Sequence, residues 1–452
     1  MWVTARTVKL FRIQPMSQAI NLEALSNRLA AALAIRAGSI AATVGAGIVL
    51  ARALGVEQFG SYNYAVAIAA LVALPLTSGT PQLITRLVAT YRGSQGALLA
   101  GLTQTAGHVA LWGGVLAAFF TAAIVVAVGE AGNLEPMPTF LAAVVLIPVN
   151  ALAAARAAEL TGFGHVVEAQ MSRLLVAPAV LLSLSAVLWW WSGQLDSTTA
   201  ILLRAAGVGC ALVVAMLRLR QARPPSMQRE YRSRDWLRSA APLALLGGLQ
   251  IVTTSTDKLM LGILDGPASV GIYSPAVQGS ALVIVVLNVL NSTISPNIVR
   301  LHTSGDRKAL QQLATWTARR ALVAGLPAAL LMATAGEPLL RWFYGAPYAA
   351  GAGALAILAI AQLANAGLGS VGLLLTMTGH EHDAARGVFV VAVFNVAANL
   401  VLIPPFGVTG AAIATASSLI LWNVLLAVKV RRRLGVDSSF LGLHPGQTGN
   451  LS

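Results

Sequence analysis

Apolar stretches recur along the whole chain, and short polar connections separate them. A helix of roughly 20 apolar residues crosses a hydrocarbon core of about 30 Å. The pattern therefore predicts an all-α polytopic membrane protein. We place about twelve transmembrane helices at 30–51, 60–84, 100–128, 137–158, 168–191, 199–217, 240–263, 269–296, 317–335, 349–376, 384–404 and 408–429.

The chain also repeats itself. Residues 50–66 (LARALGVEQFGSYNYAV) align without gaps on residues 261–277 (LGILDGPASVGIYSPAV), at an offset of 211 residues. The paired positions include Leu50 with Leu261, Gly55 with Gly266, Gly60 with Gly271 and Tyr62 with Tyr273. A weaker match pairs the Thr-Gly at 161–162 with the Thr-Gly at 378–379. Each half then holds six spans, and an even number makes the halves parallel repeats about an axis along the membrane normal.

This repeat predicts two pseudo-symmetric six-helix lobes around a central cleft, the architecture of a rocking transporter with its substrate site at the repeat interface. Residues 1–28 are mixed and basic and lack the apolar core of a signal peptide, so we expect a cytoplasmic segment there. The predicted domains are an N-terminal segment 1–29, an N-lobe 30–217, a basic linker 218–239, a C-lobe 240–430 and a cytoplasmic tail 431–452.

Composition and charge support this topology. The 452 residues are 57% hydrophobic and 10% charged, whereas a soluble domain carries about 25% charged residues. A soluble enzyme is therefore excluded. The net charge is +14, and 25 of the 30 Lys and Arg residues fall on one side of the twelve-span topology. The positive-inside rule then predicts that both termini are cytoplasmic. Anionic membrane lipid accounts for the basic surplus, and no nucleic-acid partner is needed.

Charged side chains inside the predicted spans are the candidates for function, because each costs roughly 2.5–3.5 kcal/mol on insertion scales. Arg36 lies in span 1 among small residues, in LAIRAGSIAATVGAG. As a cation in the cleft it would bind phosphate through its fork of donors. The alternative is that its long side chain snorkels to the cytoplasmic interface.

Three further charges lie in spans 6 and 7. Asp257 and Lys258 are neighbours in span 7, and we expect Asp257 to couple to an ion and Lys258 to meet phosphate; the alternative is a structural ion pair. Arg204 lies near the outer end of span 6. There it either contacts substrate or snorkels to the interface.

Other polar residues favour structural roles. Asn395 and Asn399 share a helix face and are expected to bond between helices. Pro148 is expected to break span 4. The single cysteine, Cys210, is expected to be a small buried hydrophobic residue. The polar run from His380 to Asp383 is expected to be a solvated loop rather than a metal site, and we expect no metal and no cofactor.

Five stretches, in order along the chain, resemble one family. They are LARALGVEQFGSYNYAVAI, DKLMLGILDGPASVGIYSPA, SPNIVRLHTSGDRKALQQL, FYGAPYAAGAGALAILAIAQLANAGLGSVGLLLTMTGH and FNVAANLVLIPPFGVTGAAIATASSLILWNVLL. The chain is similar to polysaccharide-biosynthesis transporters, the oligosaccharide flippases of the multidrug/oligosaccharidyl-lipid/polysaccharide exporter superfamily. Members often have a basic residue two positions before the span 7 aspartate. Here that position is Ser255, and the base follows as Lys258.

The resemblance implies alternating access in a bacterial cytoplasmic membrane, with an undecaprenyl-pyrophosphate-linked oligosaccharide as cargo and cleft cations on its pyrophosphate. That role falls on Arg36 and Lys258. A polysaccharide polymerase and a chain-length regulator are the protein partners to expect, and the coupling ion is a proton or sodium. Two alternatives remain: a multidrug or cation antiporter of the same fold, and a membrane-embedded glycosyl polymerase or ligase.

Overall fold

The structure is a computed structural model. It describes residues 22–92, 95–130, 137–222, 229–231, 236 and 255–442, and side chains from residue 35 onward. These residues form helices and short connections, without a strand. The helices are α1 Leu22–Thr77, α2 Thr80–Tyr91, α3 Gly96–Glu130, α4 Met137–Val144, α5 Leu146–Gly162, α6 Val166–Gln170, α7 Ala177–Ser192, α8 Ser197–Ala222, α9 Pro267–Ser280, α10 Val285–Thr303, α11 Arg307–Phe343, α12 Ala352–Leu368, α13 Val371–Met377 and α14 Glu381–Leu434. A π-helical turn Met171–Val176 joins α6 to α7, and 3-10 turns span Ala281–Ile284 and Ala346–Gly351. A further helical segment covers 255–264.

The two longest helices are helical hairpins. Gly407 breaks α14 at φ 51°, ψ −125°. Asn395 before the break donates to Ser418 Oγ after it, at 3.1 Å, although 23 residues of straight helix would separate them by about 34 Å. This bond confirms the predicted role of Asn395 between helices.

The first hairpin turns at Gly55 in α1, where φ is 72° and ψ 176°. The Tyr348 hydroxyl donates to the carbonyl of Ala51 at 2.8 Å, and its ring lies 6.0 Å from the ring of Phe59. One side chain thus fills the corner between the two arms. The repeat counterpart Gly266 has nearly the same backbone, φ 91° and ψ 170°. Residues with a Cβ rarely adopt such angles, so glycine recurs in both halves.

Nine helical stretches of the described chain are long and apolar enough to cross a membrane, and two of them, 57 and 54 residues long, contain these hairpins. The predicted span 240–263 lies mostly outside the described residues, so the count of twelve stays a prediction. Span 4 is broken as expected. Pro148 cannot donate to the carbonyl of Val144, and α4 ends there before α5 begins at Leu146.

Two expectations were wrong. Cys210 is exposed on α8, because the lipid-facing surface of a membrane helix is as apolar as its packed face. Asp383 is not solvated. It is 6% exposed, and its carboxylate pairs with Arg433 at 2.8 Å and with Lys429 at 3.6 Å.

The connecting segments pack on the lobes. Trp236 of the predicted linker is buried against α2, α3 and α5 of the N-lobe.

After α14, residues 435–442 fold back onto the C-lobe as a strap. Gln311 exchanges two hydrogen bonds with the backbone of Asp437, at 2.6 and 2.7 Å. Phe440 N donates to the carbonyl of Gly367 at 2.9 Å, where α12 ends.

The lobes meet at the end of the bundle that carries the glycine corners. A Cβ built on Gly60 would lie 1.8 Å from the carbonyl oxygen of Pro267 and 3.0 Å from the nitrogen of Gly271. A Cβ on Gly271 would lie 2.2 Å from the carbonyl oxygen of Val56. The two repeat-related glycines therefore face each other across the lobe interface, and their backbones touch.

Candidate functional site

Asp257 lies at the centre of a buried hydrogen-bond cluster in the C-lobe. Its side chain is 4% exposed. The Tyr273 hydroxyl donates to its Oδ2 at 2.8 Å, and Thr415 Oγ1 lies 3.4 Å from the same oxygen. The Lys258 backbone N donates to Oδ1 at 2.8 Å. The cluster joins segment 255–264, α9 and α14, and leaves both carboxylate oxygens hydrogen-bonded.

The N-lobe carries the equivalent arrangement with a different charge. Arg204 on α8 donates from Nη1 to the Tyr62 hydroxyl at 3.2 Å. The repeat alignment pairs Tyr62 with Tyr273, and Thr415 lies 3.2 Å from the Tyr273 hydroxyl. In each lobe, the tyrosine of the repeat (Tyr62 or Tyr273) thus contacts the equivalent residue of the last long helix (Arg204 or Thr415). The position is cationic in one lobe and a neutral hydroxyl in the other.

Lys258 and Arg204 come together across the lobes. They are close enough to interact electrostatically. The Lys258 side chain is partly exposed and, within the described residues, forms no ion pair. The acid next to it, Asp257, is turned into its own hydroxyl cluster. Lys258 therefore interacts electrostatically with both Asp257, the stronger partner, and Arg204 of the other lobe.

Arg36 lies on the face of α1 that points toward the other lobe. A Cβ on Gly47 would lie 2.5 Å from Oε1 of Gln278 on α9, so Gly47 faces the C-lobe. Eleven residues turn an α-helix about 20° beyond three full turns, so Arg36 shares that face, about 16 Å further along the axis. Its side chain is partly exposed, and it has no hydrogen-bond partner among the described residues.

The lobe interface beside this site is closed by side chains as well as by glycines. Tyr64 on α1 packs on Gly262, where a Cβ would lie 2.6 Å from the ring. Arg52 at the first corner donates from Nε to the carbonyl of Phe343 at 2.8 Å, and also bonds the carbonyl of Trp342. Within the C-lobe, the Tyr344 hydroxyl donates at 3.3 Å to Gln278, the residue that Gly47 of the N-lobe faces. Burial raises the pKa of Tyr344 to about 12, so it remains a donor at neutral pH.

The structure thus brings Arg204, Lys258 and Asp257 into one region and places Arg36 apart from them on the same interface. Sequence reasoning missed Tyr62, Tyr273 and Thr415. The repeat alignment already pairs Tyr62 with Tyr273. The equivalence of Arg204 and Thr415 follows from their hydrogen bonds to these tyrosines, because the repeat offset changes from 211 to 217 residues along the chain.

A buried ion pair that sequence reasoning also missed lies in the N-lobe. Glu159 is fully buried, and Arg156 bonds its carboxylate at 2.5 Å and the carbonyl of Thr103 at 3.1 Å. Both groups are neutralised locally, so we assign the pair to the packing of α5 against α3.

The interface can recognise an anion. Guanidinium and ammonium groups form charge-assisted hydrogen bonds with phosphate oxygens, and these are about twice as strong as neutral ones. The four predicted residues carry three positive charges and one negative charge. Within the part of the chain that the structure describes, no group of three His, Cys, Asp or Glu residues could hold a metal ion.

Two helical halves that meet at the glycine corners match the fold of known membrane transporters. Solved structures share it. An inward-facing multidrug resistance MATE family transporter of the MOP superfamily aligns with TM-score 0.73 and 13% identity, over 90% of this chain and 98% of that chain. The lipid II flippase MurJ in an inward closed conformation aligns with TM-score 0.69 and 15% identity, over 89% of this chain and 86% of that chain.

Comparison of the sequence identifies the family within this fold. The model of the polysaccharide biosynthesis protein family matches residues 26–302, and the chain belongs to that family. It is 24% identical over 171 residues to a probable low-salt glycan biosynthesis flippase, Agl15, of Haloferax volcanii. That alignment covers 38% of this chain and 36% of the relative, so the chain spans about a third of the curated relative that it matches.

Proposed function

We propose that the protein flips a polyprenyl-pyrophosphate-linked oligosaccharide across the cell membrane for polysaccharide biosynthesis. The observation that carries the proposal is the proximity of Arg204 and Lys258 at the lobe interface. Arg204 and Lys258 carry like charges and repel each other, the neighbouring Asp257 carboxylate offsets part of the charge of Lys258, and a bound polyanion would relieve the remaining repulsion. Membership in the polysaccharide biosynthesis family supports a glycan-linked cargo, and the partial match to a glycan biosynthesis flippase agrees with it.

Pyrophosphate is the part of such a cargo that this site would recognise. Arg204 and Lys258 would donate to its oxygens from opposite lobes. Arg36, further along α1, would meet the headgroup as it enters. The polyprenyl chain would stay in lipid, where burial of each CH₂ is favourable by about 0.8 kcal/mol.

The lobe contacts support a rocking cycle in which this conformation is open toward the cytoplasm. The glycine corners and the Tyr348 contact close one end of the interface. The positive-inside rule assigns that end to the outside, because the basic loops lie at the other end.

Asp257 is our candidate for ion coupling. A buried carboxylate that accepts from Tyr273 and lies beside Thr415 can take up a proton or sodium without leaving the C-lobe. Occupancy of Asp257 changes the net charge next to Lys258. Binding of the coupling ion would thus alter the affinity of the same site for phosphate.

Flipping by reconstituted protein tests the proposal. The assay follows access of a membrane-impermeant glycan-modifying enzyme to a polyprenyl-pyrophosphate oligosaccharide placed in one leaflet. Arg204→Gln and Lys258→Gln each remove a charge-assisted bond of about 1.5–3 kcal/mol. We expect cargo affinity about ten- to a hundredfold weaker for each. Arg341→Gln is the matched control, since Arg341 is exposed and its one ion-pair partner among the described residues is the exposed Glu337.

Unchanged flipping in both cleft variants, with wild-type expression and monodispersity, would contradict the proposal. A multidrug or cation antiporter is the second candidate, favoured by the buried Asp257 and by the MATE fold likeness. It predicts that Asp257→Asn abolishes drug efflux and that neutralising Arg204 leaves efflux intact. The flippase proposal predicts the opposite dependence on Arg204.

A further inference from the structure

Two adjoining cavities lie at the end of the C-lobe, away from the lobe interface, and share Arg433. The larger has a volume of about 460 Å³ and is lined by Gly379, His380, His382, Asp383, Arg386 and Arg433. The smaller, of about 140 Å³, is lined by Leu301, His302, Gly305, Arg307, Leu310, Arg433 and Leu434. Together they form what we call the basic pocket. It lies where α10, α11, α13 and α14 begin or end.

The basic pocket carries an excess of positive charge. Its one lining carboxylate, Asp383, is buried and already held by Arg433 and Lys429. The bond uses only Nε of Arg433. Arg386 has no hydrogen-bond or ion-pair partner among the described residues and is exposed. The acids nearby, Glu381 and Asp306, line neither cavity, and Asp306 caps α11 by accepting from Ala309 N at 2.9 Å.

The lining also has an apolar side. Leu301, Leu310 and Leu434 line the smaller cavity next to Arg307 and Arg433. Cations beside leucines at the ends of membrane-spanning helices match a phosphate attached to an apolar chain. Basic pockets between helices on the cytoplasmic side are suited to anionic headgroups.

We propose that the basic pocket binds the phosphate group of an anionic membrane lipid, with Arg386 and Arg433 as its direct ligands and His380 and His382 as further donors. The pocket is separate from the cleft site. Thr415 and Arg433 are 18 residues apart on α14, which corresponds to about 27 Å of helix. The proposal therefore does not depend on the flippase function.

Native mass spectrometry of the purified full-length protein tests this binding. Phosphatidylglycerol is titrated against the wild type, against Arg386→Gln and against Arg432→Gln. Arg432 is exposed at the C-terminal end of α14, next to Arg433, and lines neither cavity. It therefore controls for the loss of one surface charge. We expect at least tenfold weaker phosphatidylglycerol binding for Arg386→Gln and an unchanged affinity for Arg432→Gln.

Two further ligands identify the source of the phosphate. Phosphatidylcholine should bind at least tenfold more weakly than phosphatidylglycerol, and inorganic phosphate should not displace the lipid at equal concentration. Displacement by inorganic phosphate would overturn the lipid assignment. Equal binding by the wild type and Arg386→Gln, or an equal loss of binding in Arg432→Gln, would refute the assignment of the lipid phosphate to the basic pocket. Both changed residues are exposed, and thermal unfolding checks that the variants fold as the wild type does.

Discussion

The contact of Gly60 with the backbone of Pro267 and Gly271 yields a sharp prediction about conformation. A Cβ on Gly60 would lie 1.8 Å from the carbonyl oxygen of Pro267, whereas real Cβ atoms essentially never approach another heavy atom within 3.0 Å. Gly60→Ala must therefore separate α1 from α9 by about 1.2 Å, the difference between those distances. The neighbouring atom is backbone, so no side-chain rotation relieves the clash.

The energy cost falls on one conformation. Forcing an extra carbon into a well-packed contact costs typically 1–3 kcal/mol. The contact exists only when the lobes are closed at the corner end, so the cost shifts the equilibrium toward conformations open at that end. A shift of this size is about 5- to 150-fold in population. Gly60→Ala should therefore enrich the outward-open state without unfolding either lobe.

Spin-label distances measure that shift. In a Cys210→Ala background, which removes the one exposed native thiol, labels at Glu57 and Glu337 report on the two lobes at the corner end. We expect Gly60→Ala to add a longer distance component. Gly353→Ala is the matched control, because a Cβ there meets nothing within 4 Å. A distance distribution in Gly60→Ala that matches the wild type and Gly353→Ala would refute the reasoning.

Three further changes test the packing. Tyr273→Phe removes the nearer of the two side-chain donors to Asp257, and an unfolding titration should give a loss of about 1–3 kcal/mol. No loss would show that Thr415 and the backbone suffice. Truncation after Leu434 removes the strap and should lower the thermal unfolding midpoint, while truncation after Gly442 should not; equal midpoints would make the strap dispensable. Asn395→Leu breaks the hairpin bond to Ser418 and should cost about 0.6–2 kcal/mol in the same titration, and a stabilised variant would contradict that assignment.

The membrane class, the helical fold and the internal repeat could be predicted because each is written in local patterns. The length of each apolar stretch predicts the membrane spans. The gapless alignment of residues 50–66 with 261–277 pairs Gly55 with Gly266, the two corner glycines. The side of a helix that faces its neighbours could not be predicted in the same way. Lipid tails are as apolar as a packed core, so Cys210 looked buried and is exposed.

The burial of individual charged residues was equally out of reach of local reasoning. Asp383 lies in a polar run that reads as a loop, and only the return of α14 brings Arg433 onto it at 2.8 Å. Glu159 is buried because Arg156, one turn earlier on the same helix, is turned toward α3. In each case the tertiary partner decides whether a charge is solvated.

The repeat explains why the cleft site is asymmetric in charge although its frame is symmetric. Gene duplication would give both lobes the same tyrosine and the same position on the last long helix, and the structure keeps both hydrogen bonds, at 3.2 Å each. The charges have diverged on this frame. One lobe has Arg204 where the other has Thr415, and Ala46 stands where the C-lobe has Asp257. An arginine at both positions would be neutralised in the C-lobe, because Thr415 lies 3.4 Å from the Asp257 carboxylate. Arg204 therefore bonds the tyrosine hydroxyl in the N-lobe, whereas Asp257, the acid that we propose for ion coupling, accepts from the equivalent hydroxyl in the C-lobe. The two lobes therefore differ in charge because the residues of each repeat pair have diverged, while the hydrogen-bonded frame that holds them is the same.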